Sequence, residues 1–394
     1  MSNTIKKLII GLLAIAIVFS LTACSGGEVQ NPADNAINND EQIGNTENGE
    51  GGTEPEDSGA LYNRVLAALG NPKVTNVVGS EADPGTHMFR IDENGVQVRY
   101  IGISALKSGE EVNIMQATDF HFNKMNDRDN AEQNPSIMDT RKYRKGFRDE
   151  STVPNAKRVI EIGKKFDAVA ITGDNIDYLT WGSLDLVKEH IWDVLGDKVI
   201  MPLGGHDATR VMESYVADTT TLESRYEILQ SAWQHDIHYS NKIVKDRVML
   251  VQLNNGQSKY YGNQAEKLAA DIKYARENNL IILISQHEPV ATGDTAQARV
   301  VPITGGNSYE NFYKNHIGGS KYSADEVTKK VYNLITNNAD VIRGVFAGHL
   351  HQNYYTEIKA TYEKDGAKVN AVIPQIVLQT ATSAEGYITV INIE

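Results

Sequence analysis

Five of the ten histidines in this 394-residue chain stand just beyond an apolar run of strand character, in short segments that also hold glycine, acid or proline. The run VNIMQAT (112–118) leads into Asp119-Phe120-His121, and DAVAIT (167–172) leads into Gly173-Asp174-Asn175-Ile176-Asp177. KVIMPL (198–203) precedes Gly204-Gly205-His206-Asp207, LIILIS (280–285) precedes Gln286-His287-Glu288-Pro289, and DVIRGVFA (340–347) precedes Gly348-His349-Leu350-His351. Alternation along an extended segment would point Asp119 and His121 to one side, and likewise His349 and His351, so that each pair clasps one ion. Carboxylate and imidazole without thiolate suit Zn, Mn or Fe. Two such ions about 3.5–4 Å apart can share a carboxylate, lower the pKa of a water and clamp a phosphoryl group during in-line displacement. That is a hydrolytic apparatus.

Positioning these residues requires alternating strands and helices. Beyond the five runs above, the pattern predicts a helix at 61–70, a strand at 96–103, and helices from Pro154 to Phe166 and at 184–195. It adds a strand at 247–253 and helices at 264–278 and 323–337. Unbroken apolar runs imply strands covered on both faces, and the carboxyl ends of such strands are where α/β proteins place ligands.

The ordered set DxH, GDxxD, GxHD, H and GHxH resembles the calcineurin-like metallophosphoesterase family over about Asn113 to Glu357. The resemblance implies a four-layer α/β/β/α sandwich with two mixed sheets and a dinuclear site at one edge. It assigns Asp119, His121 and His351 to one metal, Asp174 to a bridge, and His287 and His349 to the other. On the same likeness a metal-bound hydroxide is the nucleophile, and His206 protonates the leaving oxygen, oriented by Asp207 and by Asp177. One position departs from the family pattern. Where the family has a metal-binding Asn, this chain has Gly205, so water or Asn175 fills the place, or the second site is weak.

The first 23 residues have a basic start at Lys6 and Lys7, an apolar run from Leu8 to Leu21 and a small-residue exit, which together read as a secretion signal. Leu21-Thr22-Ala23-Cys24 resembles the lipobox of bacterial lipoproteins, which implies a lipid anchor at Cys24, the chain's single cysteine. The expected location is the outer face of the cell membrane, or the periplasm if an outer membrane is present. Residues 24–60 hold nine acids and no Lys or Arg, with scarcely a large apolar side chain, and read as a disordered acidic tether. A small N-terminal appendage is expected at 61–110 and the metallophosphoesterase domain at 111–394.

A net charge of −13 argues against a nucleic-acid-coating surface, and one cysteine excludes an intrachain disulfide and any Cys-rich zinc module. A hydrophobic content of 41% supports a true core. A monomer is expected. The basic stretch 141–148, with Arg141 and Arg144, reads either as a steering patch for a phosphorylated small molecule or envelope substrate, or as a solvated helix end. Asn175 and Tyr354 are further candidates for substrate contact, and Glu288 for support of His287. Two rivals remain: a solute-binding lipoprotein, which has no need of histidines at its strand ends, and a degenerate metal- or phosphate-binding module, suggested by Gly205.

Overall fold

The computed structural model describes residues 76–78, 89–91, 95–129, 149–208, 221–291, 299–300, 317, 324–351, 353–382 and 386–394. The leader, the tether, Cys24, the 61–70 helix and the 141–148 stretch with Arg141 and Arg144 lie outside these residues. Strands β1 (Asn76–Val78), β2 (Phe89–Ile91), β3 (Gln97–Ile103) and β4 (Val112–Ala117) come first. Helix α1 (Asp149–Gly163), β5 (Ala168–Ile171), α2 (Trp181–Val187), β6 (Val199–Ile200) and α3 (Leu222–Ala232) follow. Then come β7 (Tyr239–Val244), β8 (Val248–Leu253), α4 (Gln264–Asn278), β9 (Ile281–Ser285), β10 (Arg299–Val300) and α5 (Glu326–Thr336). The last elements are β11 (Ile342–Ala347), β12 (Tyr354–Lys364), β13 (Ala367–Val377) and β14 (Tyr387–Ile393).

These strands form two mixed sheets, ordered β1-β2-β3-β14-β4-β5-β6 and β10-β12-β13-β11-β9-β8-β7. Side-chain alternation sorts each strand's residues between two layers. Val112 and Ile114 of β4 meet Val248 and Leu250 of β8 in a core between the sheets, while Met115 and Ala117 face α1 and α2. On the far side, Met249, Val251 and Leu253 pack with Leu268 and Ile272 of α4 and Val331 and Ile335 of α5. The result is the expected α/β/β/α order of layers.

Three expectations change. Strand β3, placed by the sequence in an N-terminal appendage, is a full member of the first sheet, pairing in parallel with β14 from Tyr387↔Gln97 to Ile393↔Ile103. Its apolar face needs that sheet for burial. Helix α1 begins ahead of Pro154 rather than at it. Helix α2 starts earlier than expected, where Thr180 accepts from Ser183 N, and runs on through a π turn (Lys188–Trp192). Among the described residues no helix is long and apolar enough to cross a membrane.

Candidate metal centre

Strands β4, β5 and β6 are parallel neighbours in the first sheet, and β9 and β11 are parallel neighbours in the second. Their carboxyl-terminal loops are therefore delivered together. Backbone bonds lace adjacent loops: Asp119 N and His121 N donate to Gly173 O and Asp174 O, and Gly348 N donates to His287 O.

Extended alternation is not what aims the side chains. Asp119, His121, Asp174, His349 and His351 all have left-handed backbones, with φ of 53°, 46°, 49°, 73° and 51°. Each such non-glycine residue is strained by roughly 1–3 kcal/mol and persists only where its surroundings hold it. As a result Asp119 and His121 do share one cluster, but His349 and His351 separate. Ligand atoms of Asp119, His121, Asp174 and His351 lie within 4.8 Å of one another, as do those of Asp174, His287 and His349. Asp174 belongs to both.

The spacings fit cations. His351 Nε2 is 3.2 Å from Asp119 Oδ1, and His121 Nε2 is 2.9 Å from His351 Nε2 and 3.8 Å from Asp174 Oδ2. On the other side, His287 Nε2 is 3.2 Å from Asp174 Oδ2 and 3.1 Å from His349 Nδ1. Donors bound at about 2.1 Å to one ion sit roughly 3–3.5 Å apart, so nitrogen and oxygen atoms converge here as ligands would. Carboxylate and imidazole, buried except at the half-buried His349 and His351, form the donor set of a borderline or hard divalent ion.

Surrounding groups orient the donors. His287 Nδ1 bonds Thr172 O at 2.9 Å, which turns Nε2 toward Asp174, and Thr118 Oγ1 donates to Asp119 Oδ2 at 2.6 Å. Close approach explains two glycines. A Cβ on Gly348 would stand 1.9 Å from Thr118 Oγ1, and one on Gly204 would stand 2.1 Å from Asp174 Oδ1.

Asp177 is the shared carboxylate beside the clusters. Its Oδ1 is 3.4 Å from His121 Nδ1 and 3.2 Å from His206 Nδ1, and Asn123 Nδ2 donates to its Oδ2 at 3.2 Å. Asp207, expected to orient His206, does something else: it accepts from Ile176 N, Gly204 N and Asn175 Nδ2, tying the β5 and β6 loops together. Burial, with Asp174 nearby, pushes its carboxyl up to about 7. Asn175 is fully buried and its Nδ2 donates also to Pro202 O, so it braces these loops. Glu288 accepts from Ser258 N and Oγ rather than supporting the His287 ring. Tyr354 contributes backbone to β12, and its side chain lies outside the described residues, as do Arg141 and Arg144. Sequence patterns gave no sign of Thr118, Thr172 or Asn123, because one hydroxyl or amide beside a strand end has no period.

Burial alone would lower both His121 and His287. The facing carboxylates outweigh it, Asp119 and Asp177 at the first and Asp174 and Asp119 at the second, and raise them to about 9 and about 10. Burial would likewise raise Asp119 and Asp174, yet the imidazoles hold both well below the usual carboxylate range. Without metal the site thus holds protons where cations would sit. Loading with Mn²⁺ at pH 7 is expected to expel about two protons per chain, with affinity rising as pH rises. Calorimetry in buffers of unequal ionisation enthalpy measures this; binding without proton release, or binding that tightens on acidification, contradicts it.

Gly205 faces backbone. A Cβ there would lie 2.9 Å from Gly256 O, so an asparagine cannot enter without displacing the loop after β8. Gly205→Asn is expected to lose about 1–3 kcal/mol of stability and gain no metal. Denaturant unfolding with metal quantitation tests this, and a variant as stable as wild type with more bound metal would contradict it.

No family model matches the chain, and no curated protein matches it in sequence. Among solved structures it is similar to a dimetal phosphatase from Danio rerio, at 12% identity and a TM-score of 0.37, over 68% of this chain and 87% of that one. It is also similar to PhoD, at 11% identity and a TM-score of 0.34, over 73% of this chain and 60% of that one.

Proposed function

We propose that this chain is a secreted, lipid-anchored phosphoester hydrolase that uses two divalent ions on phosphomonoesters or phosphodiesters of small molecules or of the cell envelope. One observation carries this reading: two largely buried donor clusters share Asp174 and are assembled at the ends of parallel strands in both sheets, five of their six residues having left-handed backbones. Asp119, His121, His351 and Asp174 would hold one ion, and Asp174, His287 and His349 the other. Bound there, the ions would supply a water of lowered pKa and neutralise charge on the phosphoryl oxygens.

The chain's own contribution to proton transfer centres on His206. Its side chain is 30% exposed, and its Nδ1 is fixed by Asp177 through the carboxylate at 3.2 Å and the carbonyl at 3.0 Å. That leaves Nε2 to donate a proton to the departing oxygen. His206 N donates to Asp174 Oδ1 at 2.8 Å, so the acid and the shared carboxylate are held in register. The leader and Cys24 support anchoring at the outer face of a bacterial membrane, or in the periplasm.

Gly205 favours a second reading, a metal-binding module without turnover, since glycine offers no side-chain ligand. Purified protein loaded with Mn²⁺ and assayed on p-nitrophenyl phosphate and bis(p-nitrophenyl) phosphate separates the two. Turnover that EDTA removes and Mn²⁺ restores is the expected result. Two ions bound per chain without hydrolysis would replace the enzyme reading with the module.

A further inference from the structure

Between β13 and β14 the chain crosses beneath the first donor cluster as Leu378-Gln379-Thr380-Ala381-Thr382, a segment that no motif marks. Thr380 Oγ1 donates to Asp119 O at 2.7 Å, and Thr382 Oγ1 reaches the same carbonyl at 3.4 Å. The two hydroxyls lie 2.9 Å apart, and Thr382 N donates to Thr380 Oγ1 at 3.2 Å. One residue earlier in the first loop, Thr118 O accepts from Ala381 N at 2.9 Å.

The same segment grips the other sheet. Leu378 N donates to Ala347 O, at the strand end that leads to His349 and His351, and Gln379 N donates to Asn353 Oδ1 just beyond them. Asn155 Nδ2 of α1 donates to Thr382 O, which fixes the far end of the segment. The strap is thus bonded to two of the three loops that build the Asp119, His121, Asp174 and His351 cluster, the one after β4 and the one after β11. Asp119 has a left-handed backbone, a conformation that must be held from outside. Its carbonyl is where the strap holds it.

We infer that Thr380, assisted by Thr382, is a positioning residue for the first metal site, setting the Asp119 carboxylate against His351 by gripping the Asp119 carbonyl. The inference rests on the dinuclear reading above. Its effect falls first on that cluster, because both hydroxyls of the strap end on the Asp119 carbonyl, whereas His287 is oriented by Thr172 and the second cluster meets Asp119 through His349 N, which donates to its carboxylate at 3.1 Å.

The test is calorimetric Mn²⁺ titration of wild type, Thr380→Val, Thr382→Val and Thr380→Ser, with thermal unfolding of each in EDTA. Thr380→Val is expected to weaken one of two binding steps by about 10–100-fold and the other by much less, as loss of an outer partner of a ligand does. Thr382→Val should weaken the same step less, and Thr380→Ser should restore it. Unchanged titration in Thr380→Val, or failure of serine to rescue, would overturn the inference while leaving the dinuclear site intact. Equal weakening of both steps with a matching fall in thermal stability would also overturn it, as a general packing defect. A wild type that binds no divalent ion would overturn the site reading, and this inference with it.

Discussion

Asp174→Asn is expected to cut phosphoester turnover at least about a thousandfold, equivalent to ~4 kcal/mol of transition-state stabilisation, and to reduce bound metal to less than one ion per chain. Asp174 is the one carboxylate common to both clusters, with Oδ2 3.2 Å from His287 Nε2 and 3.8 Å from His121 Nε2. Asparagine keeps the shape but replaces an anionic oxygen with a neutral amide. His287 then loses the charge that chiefly raises it, while His121 keeps Asp119 and Asp177 and loses a smaller contribution, so burial regains its weight mainly at His287. Four donor histidines remain, but without the shared anion they gather cations poorly. Metal quantitation and steady-state kinetics on one preparation measure both effects. A variant that retains two ions and near-normal rate would remove Asp174 from the centre of the site.

His206→Gln should behave differently. Its ring sits 4.9 Å from the His121 ring, yet its Nδ1 is engaged by Asp177 rather than by the Asp119, Asp174 or His351 ligand atoms. Metal content is therefore expected to stay at the wild-type level while kcat falls by about 10²–10⁴, the usual contribution of a positioned general acid. The deficit should be largest for alkyl phosphoesters, whose departing oxygen needs a proton, and smallest for p-nitrophenyl esters, whose departing oxygen hardly does. Comparison of the two leaving-group classes separates lost proton donation from a distorted site. Lost metal in this variant would instead make His206 a ligand.

Much of this centre is legible in the sequence because its elements announce themselves. The runs 112–118, 167–172, 280–285 and 340–347 are apolar enough to be buried on both faces, and such strands end in ligand-bearing loops. The resemblance then divides the donors as the structure divides them, with His351 beside Asp119 and His349 beside His287. Simple alternation does not, because it pairs His349 with His351. The difference lies in φ, since five side chains are aimed by left-handed residues; Asp and His enter that region more readily than most side chains, but their presence alone does not mark it.

Other features are hidden for separate reasons. The long hairpin of β12 and β13 buries Thr356, Ile358 and Ala360 on one face only, so its apolar signal is thin; the Asp365-Gly366 turn is its local mark. The partner of Asp207 is hidden because His206 and Asp207 are adjacent in sequence, while the carboxyl turns back to Ile176 and Gly204. The strap at 378–382 acts through two hydroxyls and three backbone amides, which composition does not reveal. The obstruction at Gly205 comes from Gly256, fifty-one positions away, and only the folded backbone brings them together.

Anomalous X-ray scattering from crystals of the Mn²⁺-loaded protein tests the central claim most directly. The account predicts two peaks roughly 3.5–4 Å apart, with the Asp174 carboxylate between them, Asp119, His121 and His351 around one, and His287 and His349 around the other. A single peak, or metal seated away from Asp174, would contradict it.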